Sequence, residues 1–285
     1  MSFWAAYDFW RDPMLAVLLA ATLCGYLGVH VVLRRVVFVG AALTQVSGVG
    51  IALSFFLTSF LVTRHGGEPP AWLSPQLFAL VAAIAAALVF SLARRVRSVS
   101  SETVVGVGWV LAAASLLLIL ASKRIVQEAH EVDDLLYGTA ILPTVAQLKV
   151  LGLVTAGVLA VHIAFFKELL FVTYDGEVAR TLGYRTGAWD MLLYATFGVG
   201  TSFAVRTVGA LPAFAFLVVP AASAQLLVRR IVWAFPLAVL FAVCGGALGY
   251  YLAFTRNLPT GAAIVGASGL FLLPGVARRL LWRTA

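Results

Sequence analysis

The alternation of apolar and polar stretches divides the chain into nine long apolar segments. An α-helix rises 1.5 Å per residue, so about 20 apolar residues cross a hydrocarbon core about 30 Å thick. The pattern predicts an all-α, polytopic bundle of about eight to nine transmembrane spans with a short cytoplasmic helix between two of them. The segments are residues 14–33, 36–62, 75–93, 104–122, 145–165, 191–205, 210–228, 232–254 and 261–281.

The longest charged interruption, residues 166–185, reads FKELLFVTYDGEVARTLGYR, and we call it the polar segment. Its charged and apolar residues share a helical register, which predicts a short amphipathic helix. A helix of this kind, held outside the lipid between two spans, can dock a partner. An ordinary solvated loop is the alternative interpretation.

Composition and charge define the class of protein. The chain is 62% hydrophobic and 11% charged, with a mean hydropathy of +1.01, and a soluble domain cannot bury that much apolar surface. The net charge of +8 comes from basic residues at segment ends, which indicates membrane topology and argues against nucleic-acid binding. With the N-terminus outside and the C-terminus inside, the inner loops hold thirteen Lys and Arg residues and the outer loops six, which places the polar segment in the cytoplasm.

Several catalytic and coupling motifs are missing from the sequence. There is no GxxxxGK[ST] loop, so the chain is expected to have no ATPase activity and to bind no cofactor of its own. The sequence has no HExxH and no GxSxG motif, which argues against an intramembrane enzyme. The span centres are nearly free of the ionisable residues that ion-coupled carriers use. Energy for any transport would therefore come from a partner.

The second apolar segment carries a small and polar stripe that includes Ala41, Thr44, Gln45, Ser47 and Gly48. This stripe could line a translocation path. Alternatively, the small residues permit close helix contact and the hydroxyls bridge helices for about 0.6–2 kcal/mol each.

The seventh segment contains Pro212 and Pro220, which we expect to bend or break its helix. Broken helices often border substrate sites in transporters, so Pro220 joins the candidate path. A kinked packing helix is the alternative.

An outer stretch places His130 and Asp134 four residues apart, where an imidazole and a carboxylate on one helix can share a metal ion. A zinc site needs three or four protein ligands, so the alternative is a hydrated acidic helix end.

Three motifs occur in the order KELLFVTYDGEVARTLGY, VGALPAFAFLVVPAASAQLL and NLPTGAAIVG. With them the chain resembles, over nearly its whole length, the integral permeases of bacterial ABC importers for zinc, manganese and iron. The resemblance implies one permease domain over residues 1–285, located in the bacterial inner membrane. It also implies a homodimer, two cytosolic ATPase subunits that use ATP, and an extracytoplasmic metal-binding protein. The ATPase would dock on a coupling segment at about 167–185, through Tyr174, Asp175, Glu177, Ala179, Leu182 and Gly183.

The chain departs from this family in the second span. The family motif is Gly-Asp-x-x-x-His, whereas this chain has Gly40, Ala41 and, at the last position, Gln45. Alanine cannot ligate a metal, and a neutral amide oxygen is a poor ligand for zinc or manganese. Ligands could come from His130 and Asp134, the metal could pass hydrated or chelated, or the substrate could be something else.

The leading hypothesis is the permease subunit of a divalent-metal importer. The alternatives are a secondary carrier or channel that works without ATP, a diverged permease for a non-metal substrate, and a membrane scaffold that transports nothing.

Overall fold

The structure is a computed structural model that describes residues 7–65, 70–93, 100–122 and 143–283. Within these ranges the chain folds into α-helices joined by short turns, with 3₁₀ turns at Ala71–Leu73 and Ile231–Trp233. The helices are α1 (Tyr7–Leu33), α2 (Val37–His65), α3 (Pro75–Ala93), α4 (Ser101–Leu120), α5 (Val145–Ala164), α6 (Phe166–Tyr174), α7 (Gly176–Thr181), α8 (Thr186–Val208), α9 (Ala210–Leu227), α10 (Ala234–Arg256), α11 (Thr260–Leu270) and α12 (Leu273–Arg283).

In the described part of the chain, nine helical stretches are long and apolar enough to cross a membrane, which confirms the predicted helical bundle. Most predicted bounds agree within a few residues. The first and sixth spans differ at their starts, because α1 begins at Tyr7 instead of residue 14 and α8 begins at Thr186 instead of residue 191. Asp190 lies in the first turns of α8, and its carboxylate pairs with Arg34.

Of the predicted bend or break at the prolines of the seventh span, the break does not occur. Helix α9 continues through Pro220, and Pro212 lies in its first turn, where the missing backbone N–H would have had no acceptor within the helix. The chain turns instead at Gly209, between α8 and α9, where φ is 94° and ψ is 159°. A residue with a β-carbon rarely adopts this positive φ, so glycine allows the turn.

The last span is divided into two helices, which the sequence pattern did not predict. Helices α11 and α12 are separated at Phe271 and Leu272. The Ser223 hydroxyl donates a hydrogen bond to the Phe271 carbonyl, so the interrupted backbone has a polar partner from α9. This bond links the turn between α11 and α12 to α9.

Helix α1 lies in the centre of the bundle, packed against α8, α9 and α10. Of the residues in its apolar stretch 72% are buried, compared with 17% for the peripheral α4. Glycine permits the closest contacts. A β-carbon on Gly28 would lie 2.0 Å from the Leu217 carbonyl oxygen, and one on Gly249 would lie 2.4 Å from the Ile264 α-carbon. Small residues therefore let these backbones touch, as is common between membrane helices.

Candidate functional site

The polar segment forms two short helices, α6 and α7, separated by Asp175. On α6, Leu169 and Val172 are buried against the bundle while Tyr174 is 70% exposed. The Asp175 carboxylate accepts a hydrogen bond from the Val178 backbone N–H at 3.0 Å and so caps the start of α7. The segment is thus an ordered surface element.

The end of α7 has the hydrogen bonds of a Schellman motif. The Gly183 N–H donates to the Arg180 carbonyl at 3.1 Å, and the Tyr184 N–H donates to the Ala179 carbonyl at 3.0 Å. Gly183 has φ 86°, which a residue with a side chain adopts only at a cost. Ala179 is fully buried and fixes α7 to the bundle.

The six predicted coupling residues therefore fall into two groups. Asp175, Ala179 and Gly183 have structural roles in holding the segment. Tyr174, Glu177 and Leu182 are exposed, with Leu182 at 66%, and together they present an aromatic, an acidic and an apolar side chain to the surroundings.

A cavity of about 640 Å³, which we call the polar-segment cavity, lies between the α1–α2 turn and helices α6 to α8. Its lining has equal numbers of opposite charges, from Arg34, Arg35, Arg180, Asp175, Glu177 and Asp190. Arg34 Nη1 lies 2.5 Å from Asp190 Oδ1, and the Arg34 side chain is only 2% exposed. Arg34 Nε also donates to Thr173 Oγ1 at 3.3 Å, so this arginine links α1 to α6 and α8.

Three of the predicted path residues lie together in a second cavity, of about 370 Å³, between α2, α4 and the start of α9. We call it the α2–α4–α9 cavity. Ala41, Thr44 and Gln45 line it beside Trp109 and apolar side chains. The Thr44 hydroxyl donates to the Ala41 carbonyl at 2.9 Å. The lining offers neutral oxygens and no carboxylate, imidazole or thiol.

The other predicted path residues do not line this cavity. Ser47 is fully buried, and its hydroxyl donates to the Leu43 carbonyl at 2.8 Å. Gly48 is buried on α2, and Pro220 is buried within α9. These three positions have the surroundings of helix-packing residues.

His130 and Asp134 lie outside the described residues. In the described ranges no three His, Cys, Asp or Glu side chains are grouped as a metal site.

Sequence reasoning gave no role to His30 and His162, which have no candidate ligand near them in the sequence. The structure brings their rings together, with centroids 5.3 Å apart. No local spacing could indicate this pair, because it depends on the packing of α1 against α5.

Comparison with known proteins gives the family context. A model of the ABC 3 transport family matches residues 6–279. Two curated relatives resemble the chain over most of their length. The manganese transport system membrane protein MntC of Halalkalibacterium halodurans is 24% identical over 94% of this chain and 87% of its own. The high-affinity zinc uptake system membrane protein ZnuB of Buchnera aphidicola is 26% identical over 93% of this chain and 96% of its own.

A solved structure has the same fold. The structure of PsaBC from Streptococcus pneumoniae in complex with Fab matches with a TM-score of 0.80 at 21% identity. The match covers 96% of this chain and 94% of the other.

Proposed function

The chain belongs to the ABC 3 transport family, and from this premise we propose that it is the membrane permease subunit of an ATP-driven importer of a divalent transition metal. The observation that carries the proposal is the family match over residues 6–279. The relatives named for manganese and zinc transport support the class of substrate. ATP hydrolysis belongs to a partner subunit, and the chain itself binds no cofactor.

Elemental analysis of cells tests this function. Deleting the gene should lower accumulated manganese or zinc, and the wild-type gene should restore it only when the ATPase subunit is present. Unchanged metal content would contradict the proposal. Restored uptake without the ATPase would indicate a carrier or channel instead.

We propose that the cytosolic ATPase docks on the exposed face of the polar segment, through Tyr174, Glu177 and Leu182. Asp175, Ala179 and Gly183 keep that face in shape. Because a buried charge without a partner is costly, Leu182→Asp combined with Glu177→Lys should disrupt an apolar and acidic contact. The double variant should lose co-purification with the ATPase, whereas Arg185→Ala, an exposed change next to the docking face, should retain it. Equal recovery of the ATPase in both would exclude this docking surface.

The docking proposal requires the N-terminus outside the inner membrane and the C-terminus inside. In a chain with Cys24 and Cys244 replaced by alanine, single cysteines can report the side of the membrane. A membrane-impermeant maleimide should label Leu258→Cys, in the turn between α10 and α11, in intact spheroplasts. It should label Leu182→Cys only after permeabilisation. The reverse result would invert the orientation.

Ala41, Thr44 and Gln45 line the α2–α4–α9 cavity at the edge of one bundle, so a closed path needs a second covering surface. We propose that a second copy supplies it, and that an extracytoplasmic metal-binding protein delivers the ion. Because Thr44 and Gln45 provide only neutral oxygens, the ion passes this depth with other ligands, such as water or a chelator, still attached.

The substituted second-span motif provides a test of the path. Ala41→Asp with Gln45→His introduces a carboxylate and an imidazole one helical turn apart, a spacing that suits one divalent ion. The double variant should bind Zn²⁺ or Mn²⁺ more tightly than wild type, and the neutral control Ala41→Asn with Gln45→Asn should not. No gain in binding would show that these positions do not face a common ion.

A further inference from the structure

A second polar cluster lies inside the bundle, away from the α2–α4–α9 cavity. It consists of His30 on α1, His162 on α5 and Tyr26 on α1, with Phe235 packed against it. Both imidazoles are fully buried and Tyr26 is 8% exposed. Among the residues that the structure describes, no hydrogen-bond partner contacts His30 Nε2, His162 Nδ1 or the Tyr26 hydroxyl. An unsatisfied buried polar atom costs about 1–3 kcal/mol, so three together point to a binding site.

The hydrogen bonds around His162 assign its tautomer. The Thr196 hydroxyl donates its proton to the Leu193 carbonyl at 2.8 Å, so its oxygen accepts from His162 Nε2–H at 2.9 Å. The proton of the neutral imidazole is therefore on Nε2. Nδ1 keeps a lone pair that nothing in the described structure engages.

His30 has a similar arrangement with its ring reversed. Its Nδ1 lies 3.0 Å from Thr173 Oγ1, an oxygen that also accepts from Arg34 Nε. With the His30 proton on Nδ1 and donated to this oxygen, Nε2 has a free lone pair. A histidine that ligates a metal typically donates its other ring N–H to a fixed acceptor in this way.

The spacing of the rings suits a shared ion. Two imidazoles that bind one Zn²⁺ at about 2.0–2.1 Å in tetrahedral geometry have ring centres about 5 Å apart. The centroids of His30 and His162 are 5.3 Å apart. The Tyr26 ring lies 5.5 Å from His162 and 6.1 Å from His30, centre to centre, so it packs edge-on against both imidazoles.

The position of Thr173 indicates the side from which an ion would enter the cluster. This residue lines the polar-segment cavity and its hydroxyl lies 3.0 Å from His30 Nδ1, so the cluster adjoins that cavity through Thr173. Arg34, whose Nε contacts the same Thr173 oxygen as His30, is paired with Asp190 at 2.5 Å, which reduces its repulsion of a bound cation. The opposite side of the cluster, near Tyr26, faces an apolar groove between α1, α5 and α10.

We propose that His30, His162 and Tyr26 form a binding site for one late first-row transition-metal ion of the Zn²⁺ class, reached from the polar-segment cavity. Two neutral imidazoles favour Zn²⁺ over Mn²⁺, which prefers carboxylate, carbonyl and water oxygens. Three protein ligands leave a fourth position for water. Such an ion joins α1 to α5 and, through Thr173, contacts the polar segment. The site does not depend on the proposed path or on the direction of transport.

The test uses the full-length, tag-free protein in lipid nanodiscs, with Zn²⁺ alone as the probe. His162→Gln retains a polar group for Thr196 and removes Nδ1, and His30→Asn retains one for Thr173 and removes Nε2. The double variant should bind one Zn²⁺ fewer per chain than wild type by equilibrium dialysis and elemental analysis. His65→Gln, a matched histidine change on α2, should bind as wild type does. Equal zinc content in the double variant and wild type would overturn the site, as would an equal loss in His65→Gln.

Two further measurements keep the site testable if the double variant does not fold. Co²⁺ bound to wild type should give the intense visible absorption of a four-coordinate nitrogen and oxygen site. Only the weak spectrum of hydrated Co²⁺ would mean that the cluster holds water and no metal. Thr196→Val, which removes the acceptor for His162 Nε2–H, should weaken Zn²⁺ binding about 10–100-fold. Unchanged affinity, or Mn²⁺ bound as tightly as Zn²⁺, would also overturn the proposal.

Discussion

At the scale of single residues, the polar segment depends on one backbone conformation. Gly183 and Gly176 both lie in this segment, and a β-carbon at either would meet no heavy atom within 4 Å. Only Gly183 has a positive φ, at 86°. Space is therefore the same at the two positions, and the backbone dihedral is what distinguishes them.

Gly183→Ala should destabilise the end of α7 by about 1–2 kcal/mol, because an L-residue pays that cost in the left-handed region. Amide hydrogen exchange over residues 176–184 should accelerate. Gly176→Ala, on the first turn of α7, should leave exchange unchanged or slow it, since alanine is the better helix former. Equal exchange in the two variants would mean that the Schellman motif does not hold this segment.

The buried ion pair gives a second prediction for single residues. Arg34→Ala leaves Asp190 without its partner and should lower stability by about 3–5 kcal/mol, measured as a fall in the detergent melting temperature. Arg34→Met combined with Asp190→Leu should recover part of that loss, because no unpaired charge remains. Arg11→Ala, at the more exposed pair with Asp12, should cost less than about 1 kcal/mol. A double variant no more stable than Arg34→Ala would contradict the account.

At the scale of helices, the central contact is between α1 and α9. Gly28→Ala would place a methyl group 2.0 Å from the Leu217 carbonyl oxygen, which the rigid backbone cannot avoid. We expect a loss of at least about 1–3 kcal/mol, the usual cost of overpacking, seen as a lower melting temperature. Gly266→Ala on α11, where a β-carbon meets nothing within 4 Å, is the control. Similar melting temperatures for both variants would show that the helices can separate at little cost.

Span positions could be predicted from the sequence because length and apolarity are local properties. The positions at which the helices are interrupted could not be predicted in this way. Gly209 and Phe271 interrupt helices through a backbone dihedral and a contact with Ser223, and neither feature is visible in a hydropathy pattern. Pro220 is the opposite case, since a proline inside an apolar run was expected to bend or break its helix and the helix continues through it.

Candidate residues show the same division. Asp175 and Glu177 were recognisable because charges interrupt an apolar sequence. Their separate roles are a helix cap for Asp175 and an exposed side chain for Glu177, and these roles depend on the three-dimensional fold. The His30–His162 pair lies beyond sequence reasoning, because it requires knowing which faces of α1 and α5 meet.

At the scale of the whole molecule, the α2–α4–α9 cavity lies on a face of the bundle that is apolar and largely unburied. Leu117 and Leu211 line it and are 68% and 42% exposed. Either lipid or protein could cover these side chains. A transported ion needs a polar path, which lipid cannot complete, so the proposed function predicts a second copy at this face.

Cross-linking tests that assembly directly. In a chain with Cys24 and Cys244 replaced by alanine, Leu117→Cys in membranes should form a disulfide or a short bis-maleimide dimer if two copies meet at the cavity, as proposed. Leu153→Cys on α5, 74% exposed and outside the cavity lining, is equally accessible and should remain monomeric. Dimers from Leu153→Cys alone would move the interface to α5. The α2–α4–α9 cavity would then face lipid, and the translocation path would have to lie between other helices.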